Sequence, residues 1–156
     1  MRRLKAFLLP FALLAATVLY ATPAKAVEIP LSLQIMGYTS SGTPLTLGRV
    51  DGVINYGGSA VSYSLTFCRQ SSYSLPYMTI NVNSQWIGGR KYATWITNVY
   101  PSWGAYSPTQ PCYGQVGTVN SGFSYAGYSN VEYIIYGSTF HGRDYVTYFQ
   151  DRIHYF

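Results

Sequence analysis

Residues 60–68 read Ala-Val-Ser-Tyr-Ser-Leu-Thr-Phe-Cys, with an apolar side chain at every second position. The apolar phase consists of Val61, Tyr63, Leu65 and Phe67. Small polar residues occupy the other phase, and this period of two predicts a β-strand with one buried and one wet face. The segment ends in Cys68, one of only two cysteines, so a bond to Cys112 would tie this strand to the far half of the chain.

Similar short segments recur along the chain, and none of the segments between them has a convincing helical period. Their separators are rich in Gly, Pro and Asn, which favour turns. We predict turns at Asp51-Gly52, Gly57-Gly58, Asn83-Ser84, Gly88-Gly89 and residues 120–122, and a loop over residues 137–142. This pattern indicates a β-sandwich or a β-barrel. We predict an all-β, single-domain antiparallel β-sandwich, immunoglobulin-like or jelly-roll-like, with one disulfide.

The first 26 residues have the features of a secretory signal peptide. A basic start precedes an apolar run from Ala6 to Ala21, and Ala24 and Ala26 form an A-x-A cleavage pattern. An uncleaved membrane anchor is the alternative interpretation, but the run is short for a membrane span. We therefore expect residues 27–156 to be the mature domain, exported to the periplasm, the cell surface or the extracellular space, with no stable membrane span.

The positive charge of the chain belongs mainly to the predicted leader. The full chain has a formal net charge of +5, and residues 1–26 contribute four basic residues and no acid. The remaining chain has six basic and five acidic residues, so its net charge is +1. A nucleic-acid partner is not expected, because that class of protein needs a basic surface.

Two cysteines in an exported chain are expected to pair. Forty-three residues lie between Cys68 and Cys112, and closing a loop of this length stabilises the fold by about 4 kcal/mol. A nucleophilic thiol acting with His141 is the rival interpretation. An oxidising compartment and an even cysteine count argue against it.

Aromatic residues are abundant and point to a binding surface. Residues 27–156 contain sixteen tyrosines and three tryptophans among many Ser, Gly and Asn. This composition is typical of binding surfaces, because Tyr gives a large contact area at low entropic cost. Within the longest predicted loop and its flank, Trp103, Tyr106 and Tyr113 are the candidate ligand-binding residues, suited to stacking on sugar rings. The alternative is that Trp103 packs beneath the loop as a core residue.

The start of the predicted mature chain alternates cleanly between apolar and polar residues. Its apolar phase consists of Val27, Ile29, Leu31, Leu33 and Ile35. This arm resembles the donor strand of chaperone–usher pilus subunits, and Tyr155 resembles the aromatic residue near the end of their last strand. The resemblance implies assembly into a fibre by strand addition between subunits. Asp151 and the mid-chain cysteines depart from that pattern, and the arm also fits the first strand of its own domain.

The ionisable residues offer few catalytic options. The densest cluster contains His141, Asp144, Asp151 and His154, which could bind a metal or exchange protons. Their spacing matches no established metal or catalytic motif, and no nucleophile elbow or phosphate-binding loop occurs. We expect no metal, no cofactor and no catalysis.

These observations predict an exported, non-catalytic binding protein, such as a surface adhesin or a carbohydrate-binding module. Its partner would be a glycan or another surface ligand, contacted through exposed Tyr and Trp on loops. The alternative is a structural subunit of a fimbria-like fibre, whose partners would be other copies of itself or other fibre subunits.

Overall fold

The computed structural model describes residues 26–73, 75–124 and 127–156. Residues 1–25, which contain nearly all of the predicted signal peptide, lie outside the described residues. The strands are β1 (Val27–Tyr38), β2 (Pro44–Gly57), β3 (Ala60–Arg69), β4 (Tyr77–Ile87), β5 (Arg90–Val99), β6 (Val116–Ser124), β7 (Asn130–His141) and β8 (Asp144–Tyr155). A short turn, Pro111–Gly114, precedes β6, and Cys112 and Tyr113 within it both have a φ of 55°.

The strands form two antiparallel four-stranded sheets. The first sheet has the order β1-β2-β3-β6 and the second has the order β5-β4-β7-β8. Both sheets contribute buried side chains to one hydrophobic core, which includes Leu65 from the first sheet and Ile80 and Ile135 from the second. The predicted antiparallel β-sandwich with a Cys68–Cys112 disulfide is therefore confirmed.

Residues 60–68 lie in the interior of the first sheet, where β3 pairs with β2 on one side and β6 on the other. The predicted apolar phase faces the core, with Leu65 and Phe67 fully buried. One polar contact also joins the two sheets across this core. The hydroxyl groups of Tyr56 on β2 and Tyr133 on β7 lie 2.7 Å apart, so the buried phenol of Tyr133 has the half-buried Tyr56 as its hydrogen-bonding partner.

Strand β1 is an edge strand that pairs with β2 over its whole length. Leu31, Leu33 and Ile35 are buried in the core, while Val27 is exposed and Ile29 half-buried. In this structure the arm is thus the first strand of its own sandwich. The buried apolar side chains of β1, which a donor strand would insert into a neighbouring subunit, pack here into the core of their own chain.

Three of the predicted turns are wrong, because the strands continue through them. Asp51-Gly52 lies within β2, and residues 120–122 lie within β6. Asn83-Ser84 is a bulge in β4, where Asn83 has a φ of 52° and the register with β5 shifts. The predicted loop over residues 137–142 is also wrong for most of its length, since β7 runs to His141. The turns at Gly57-Gly58 and Gly88-Gly89 are confirmed by the hairpins β2–β3 and β4–β5.

Gly52 illustrates why glycine misled the prediction. A Cβ atom at this position would lie 2.0 Å from the carbonyl oxygen of Ser64 on the neighbouring strand. The glycine therefore permits close approach of two strands and does not reverse the chain.

We expect Gly52→Ala to lower the free energy of unfolding by about 3 kcal/mol, because the added methyl group must displace backbone. Gly142→Ala is the matched control. Gly142 has a φ of 77° with open space around its Cβ position, so only the conformational cost of about 1 kcal/mol applies. Urea denaturation of both variants measures the difference. Equal losses would contradict the role of close strand approach.

Candidate functional site

Of the three aromatic residues predicted as the ligand site, the structure brings Tyr106 and Tyr113 together and places Trp103 apart from them. Trp103 is half-buried, and its ring meets that of Phe67 edge-on with centroids 6.3 Å apart. The rings of Tyr106 and Tyr113 stack on each other at 5.7 Å, next to the disulfide. Tyr106 is exposed, so the loop still presents one aromatic side chain to solvent. That the loop binds a ligand stays a prediction.

Arg69 holds this loop region together. Its guanidinium group lies 5.0 Å from the centre of the Tyr106 ring. It also donates hydrogen bonds to the carbonyl oxygens of Ser71, Ser72 and Tyr73 and to Gln115 Oε1. These bonds occupy the guanidinium group with its own chain, which indicates a structural role for this cation.

The four ionisable residues near the end of the chain do not form one cluster. His141 Nε2 lies 2.8 Å from Thr139 Oγ1 and 2.9 Å from the carbonyl oxygen of Tyr38. Asp144 begins β8 at the hairpin, and His154 stacks on Tyr56. Asp151 and His154 lie on opposite faces of β8. Asp151 contacts Lys91 on the outer face of the second sheet. Among the described residues, no group of three His, Cys, Asp or Glu side chains is placed to hold a metal ion.

The outer faces of the two sheets differ sharply in chemistry. The outer face of the first sheet consists mainly of small polar side chains, such as Ser32 bonded to Asp51 and Thr66 beside Thr118. The outer face of the second sheet, here called the aromatic face, carries large exposed rings. Exposed fractions are 69% for Trp86, 61% for Trp95, 63% for Phe149 and 67% for Tyr155. Exposed apolar surface this extensive is typical of interaction sites.

A row of four rings crosses one end of the aromatic face. Tyr77 stacks between Tyr100 and Tyr136, with ring centroids 5.3 and 5.1 Å away. Phe149 extends the row at 6.2 Å from Tyr136. Burial raises the pKa of both Tyr77 and Tyr136 above the ordinary tyrosine value, so ionisation of their hydroxyl groups is shifted to more alkaline pH.

Three charged side chains meet at the middle of the aromatic face, and we call them the Lys91 cluster. Glu132 on β7 is completely buried and forms an ion pair with Lys91 of β5. Lys91 Nζ also lies 3.3 Å from Asp151 Oδ2 on β8. Burial alone lowers the pKa of Lys91, but hydrogen bonds and charges from both carboxylates outweigh burial and raise it. Lys91 is therefore held as an ammonium group against the buried Glu132 side chain.

Two depressions lie on the aromatic face, and Lys91 lines both. The larger has a volume of about 410 Å³ and is lined further by Asn81, Ala93, Trp95, Ile134, Tyr136 and Phe149. The smaller, of about 320 Å³, is lined further by Ser84, Gln85, Trp86, Ser129, Asn130, Ile153 and Tyr155. Each depression combines an exposed tryptophan with amide groups and the lysine. This combination can bind a ligand that has both C–H surfaces and hydroxyl groups.

The aromatic face was not among the predicted binding sites. Its signal was present in β8, where the apolar phase of Tyr145, Phe149, Ile153 and Tyr155 points outward. The inward phase of the same strand contains Gln150, Arg152 and His154. An inverted phase of this kind is invisible until the pairing of β8 with β7 fixes which side faces the core.

Comparisons with protein-family models, curated proteins and solved structures give no match for this chain. The described part of the chain contains no helix that is long enough and apolar enough to span a membrane.

We expect Lys91→Met to lower the free energy of unfolding by about 3 kcal/mol, because it leaves the carboxylate of Glu132 buried without its cation. Arg49→Met is the matched control, since Arg49 and Asp51 form an exposed pair on the first sheet. Solvent screens such a pair, so its loss should leave the stability nearly unchanged. Chemical denaturation of both variants provides the test. A Lys91 variant as stable as the control would show that burial does not strengthen this ion pair.

Proposed function

We propose that this protein is an exported, non-catalytic binding module that holds a glycan on the aromatic face of its second sheet. The observation that carries the proposal is the exposure of Trp86 and Trp95 on either side of Lys91. Folding alone does not require these rings to be exposed, because the outer face of the first sheet consists mainly of small polar residues such as Ser, Thr and Asn. Exposed aromatic side chains on one face only support a binding role.

The chemistry of the aromatic face suits a sugar chain. The C–H groups on one side of a pyranose ring carry partial positive charge, and an aromatic ring presents a partially negative face to them. Trp95 and Phe149 supply such rings at the larger depression. Asn81 and Lys91 line the same depression and offer hydrogen-bonding groups for sugar hydroxyls. A purely apolar partner would leave these polar groups unsatisfied.

An extended polysaccharide fits the arrangement better than a single sugar. The two depressions share Lys91, so they adjoin each other across the middle of the sheet. One tryptophan lines each depression, which provides two stacking positions for successive parts of a chain. We therefore expect affinity to rise with the length of the oligosaccharide.

The experiment measures binding of the exported protein to insoluble cellulose and chitin by pull-down, and to cellohexaose and chitohexaose by titration calorimetry. The protein should bind at least one of these β-1,4-linked probes. Trp95→Ala should weaken that binding about tenfold, equivalent to about 1.4 kcal/mol. The physical reason is loss of one stacking surface without loss of core packing, since Trp95 is exposed.

Tyr106→Ala is the matched control, because Tyr106 is an exposed aromatic residue on the loop that the sequence analysis favoured. It should leave binding unchanged if the aromatic face is the site. Loss of binding in Tyr106→Ala with retention in Trp95→Ala would place the ligand on the loop and contradict this proposal. No binding to any of the four probes would count against an extended β-1,4-linked glycan as the ligand.

The alternative proposal is a fibre subunit that exchanges β1 between copies. Its supporting observation is that β1 lies at a sheet edge, paired with β2 alone within the first sheet. For a self-contained binding module we expect residues 27–156, purified in the oxidised form, to be monomeric by light scattering after size exclusion. A ladder of polymers that disappears when β1 is deleted would favour the fibre and contradict the monomeric module.

A further inference from the structure

The Lys91 cluster brings an amine and two carboxylates into direct contact on one face of a sheet. Lys91 Nζ donates a hydrogen bond to Glu132 Oε1 and lies 3.3 Å from Asp151 Oδ2. Glu132 Oε2 accepts hydrogen bonds from Ser84 Oγ at 2.8 Å and from Asn81 Nδ2 at 3.3 Å. One carboxylate is therefore fixed by its neighbours while the other lies against the amine.

The identity of the cation in the Lys91 cluster is informative. Lys91 is the only lysine after residue 25, whereas arginine occurs five times in that part of the chain. For an ion pair with two carboxylates, arginine would offer more donors in a better geometry. A lysine differs in one relevant property, since its amine can lose a proton and act as a nucleophile.

We propose that Lys91 and Asp151 form an intramolecular amide bond, catalysed by Glu132. The lone pair of Lys91 Nζ attacks Asp151 Cγ, and the bond between Cγ and one carboxylate oxygen breaks. Two of the three ammonium protons leave with that oxygen as water, and the third stays on the amide nitrogen. The reaction needs no oxidant, reductant or activating group, and its atoms and charges balance.

Glu132 is the catalytic residue because it contacts the reacting nitrogen directly. The carboxylates keep Lys91 in its ammonium form, so a base must remove a proton before the nitrogen can attack. Glu132 accepts that proton and, after the attack, a second one from the same nitrogen, and it passes both in turn to the departing oxygen of Asp151, which leaves as water. Complete burial of Glu132 limits the access of water, and the fixed contact raises the effective concentration of the amine, by about 10⁵ M or more in well-oriented cases.

The two other possible acceptors are less suitable than Asp151. Both oxygens of the Glu132 side chain already accept hydrogen bonds, from Lys91, Ser84 and Asn81, and losing one of these oxygens as water would break part of this network. Asn81 directs its amide nitrogen at Glu132. Asp151, in contrast, is partly exposed and faces the lysine, and a water molecule can leave from its side chain.

The amide bond would join the two edges of one sheet. Lys91 belongs to β5 and Asp151 to β8, and these strands occupy opposite ends of the order β5-β4-β7-β8. A covalent bond between them would cross the two inner strands on the outer face. It would thus hold the last strand in place independently of its hydrogen bonds to β7.

The experiment is tryptic peptide mapping of the reduced, exported wild-type protein by mass spectrometry. Cleavage after arginine and unmodified lysine gives residues 70–90, Lys91 alone, 92–143 and 144–152 from an unlinked chain. The proposed bond blocks cleavage after Lys91 and joins residues 91–143 to residues 144–152, with loss of one water. We expect this joined species to replace the separate peptides.

Every other pattern overturns the proposal. Residues 91–143 lighter by one water, with a free peptide 144–152, would place the bond on Glu132. A joined species of residues 70–90 and 91–143, lighter by one ammonia, would place it on Asn81. Separate peptides with free Lys91 would show that the cluster is an ion pair only. None of these outcomes depends on glycan binding.

Two variants test the roles of the amine and the base. Lys91→Arg keeps the positive charge but cannot form the amide, so its intact mass should equal the mass of its sequence with the disulfide. Glu132→Gln keeps Lys91 and Asp151 and should leave them unlinked, although the amide side chain is nearly isosteric. A fully linked Glu132→Gln protein would remove Glu132 from the mechanism. Circular dichroism of both variants confirms that the sandwich has formed.

Discussion

Packing of the two inner sheet faces against each other is the interaction on which the rest of this molecule depends. Each strand places alternate side chains in the core, and Leu65, Ile80 and Ile135 are completely buried there. The tyrosine pair across the core adds a directional contact to this otherwise apolar packing. Once the inner faces are satisfied, the outer face of each sheet is free to take its own chemistry. The first sheet uses small polar groups, and the second uses aromatic rings.

The interior position of β7 explains how a charged group is tolerated on the aromatic face. Six consecutive residues of β7, from Asn130 to Ile135, are buried, although only every second one faces the core. On the other side, Lys91, Ser84 and Asn81 contact Glu132. The outward-facing side chains of β7 at positions 130, 132 and 134 are therefore buried beneath the aromatic face, with Glu132 in the middle of the three. A carboxylate in such surroundings has its partners supplied by the protein instead of by water.

Sequence patterns predicted which side chains face the core, but they did not predict the chemistry of the outer faces. The alternation in residues 60–68 and in β1 identified the buried phases, because core packing imposes a strict period of two. The cysteine pair was predicted from the even cysteine count and from the expectation of export. Turn residues were less informative, since Gly52 serves close strand approach and Asn83 forms a bulge. Lys91 contacts Glu132, 41 positions away, and Asp151, 60 positions away, and only the strand order brings these residues together.

The direction of β1 and β8 also has a consequence for how the molecule is displayed. Val27 pairs with Tyr56, whose ring contacts both His154 and Phe156, so the chain enters β1 and leaves β8 at the same end of the sandwich. Any segment joined before β1 or after β8 would lie at this end. If either segment attached the molecule to a surface, the strands would run away from that surface, and the hairpin at Gly142 would lie farthest from it. The aromatic face would then be perpendicular to the surface. Neighbouring molecules attached in the same way would have their aromatic faces at the same height.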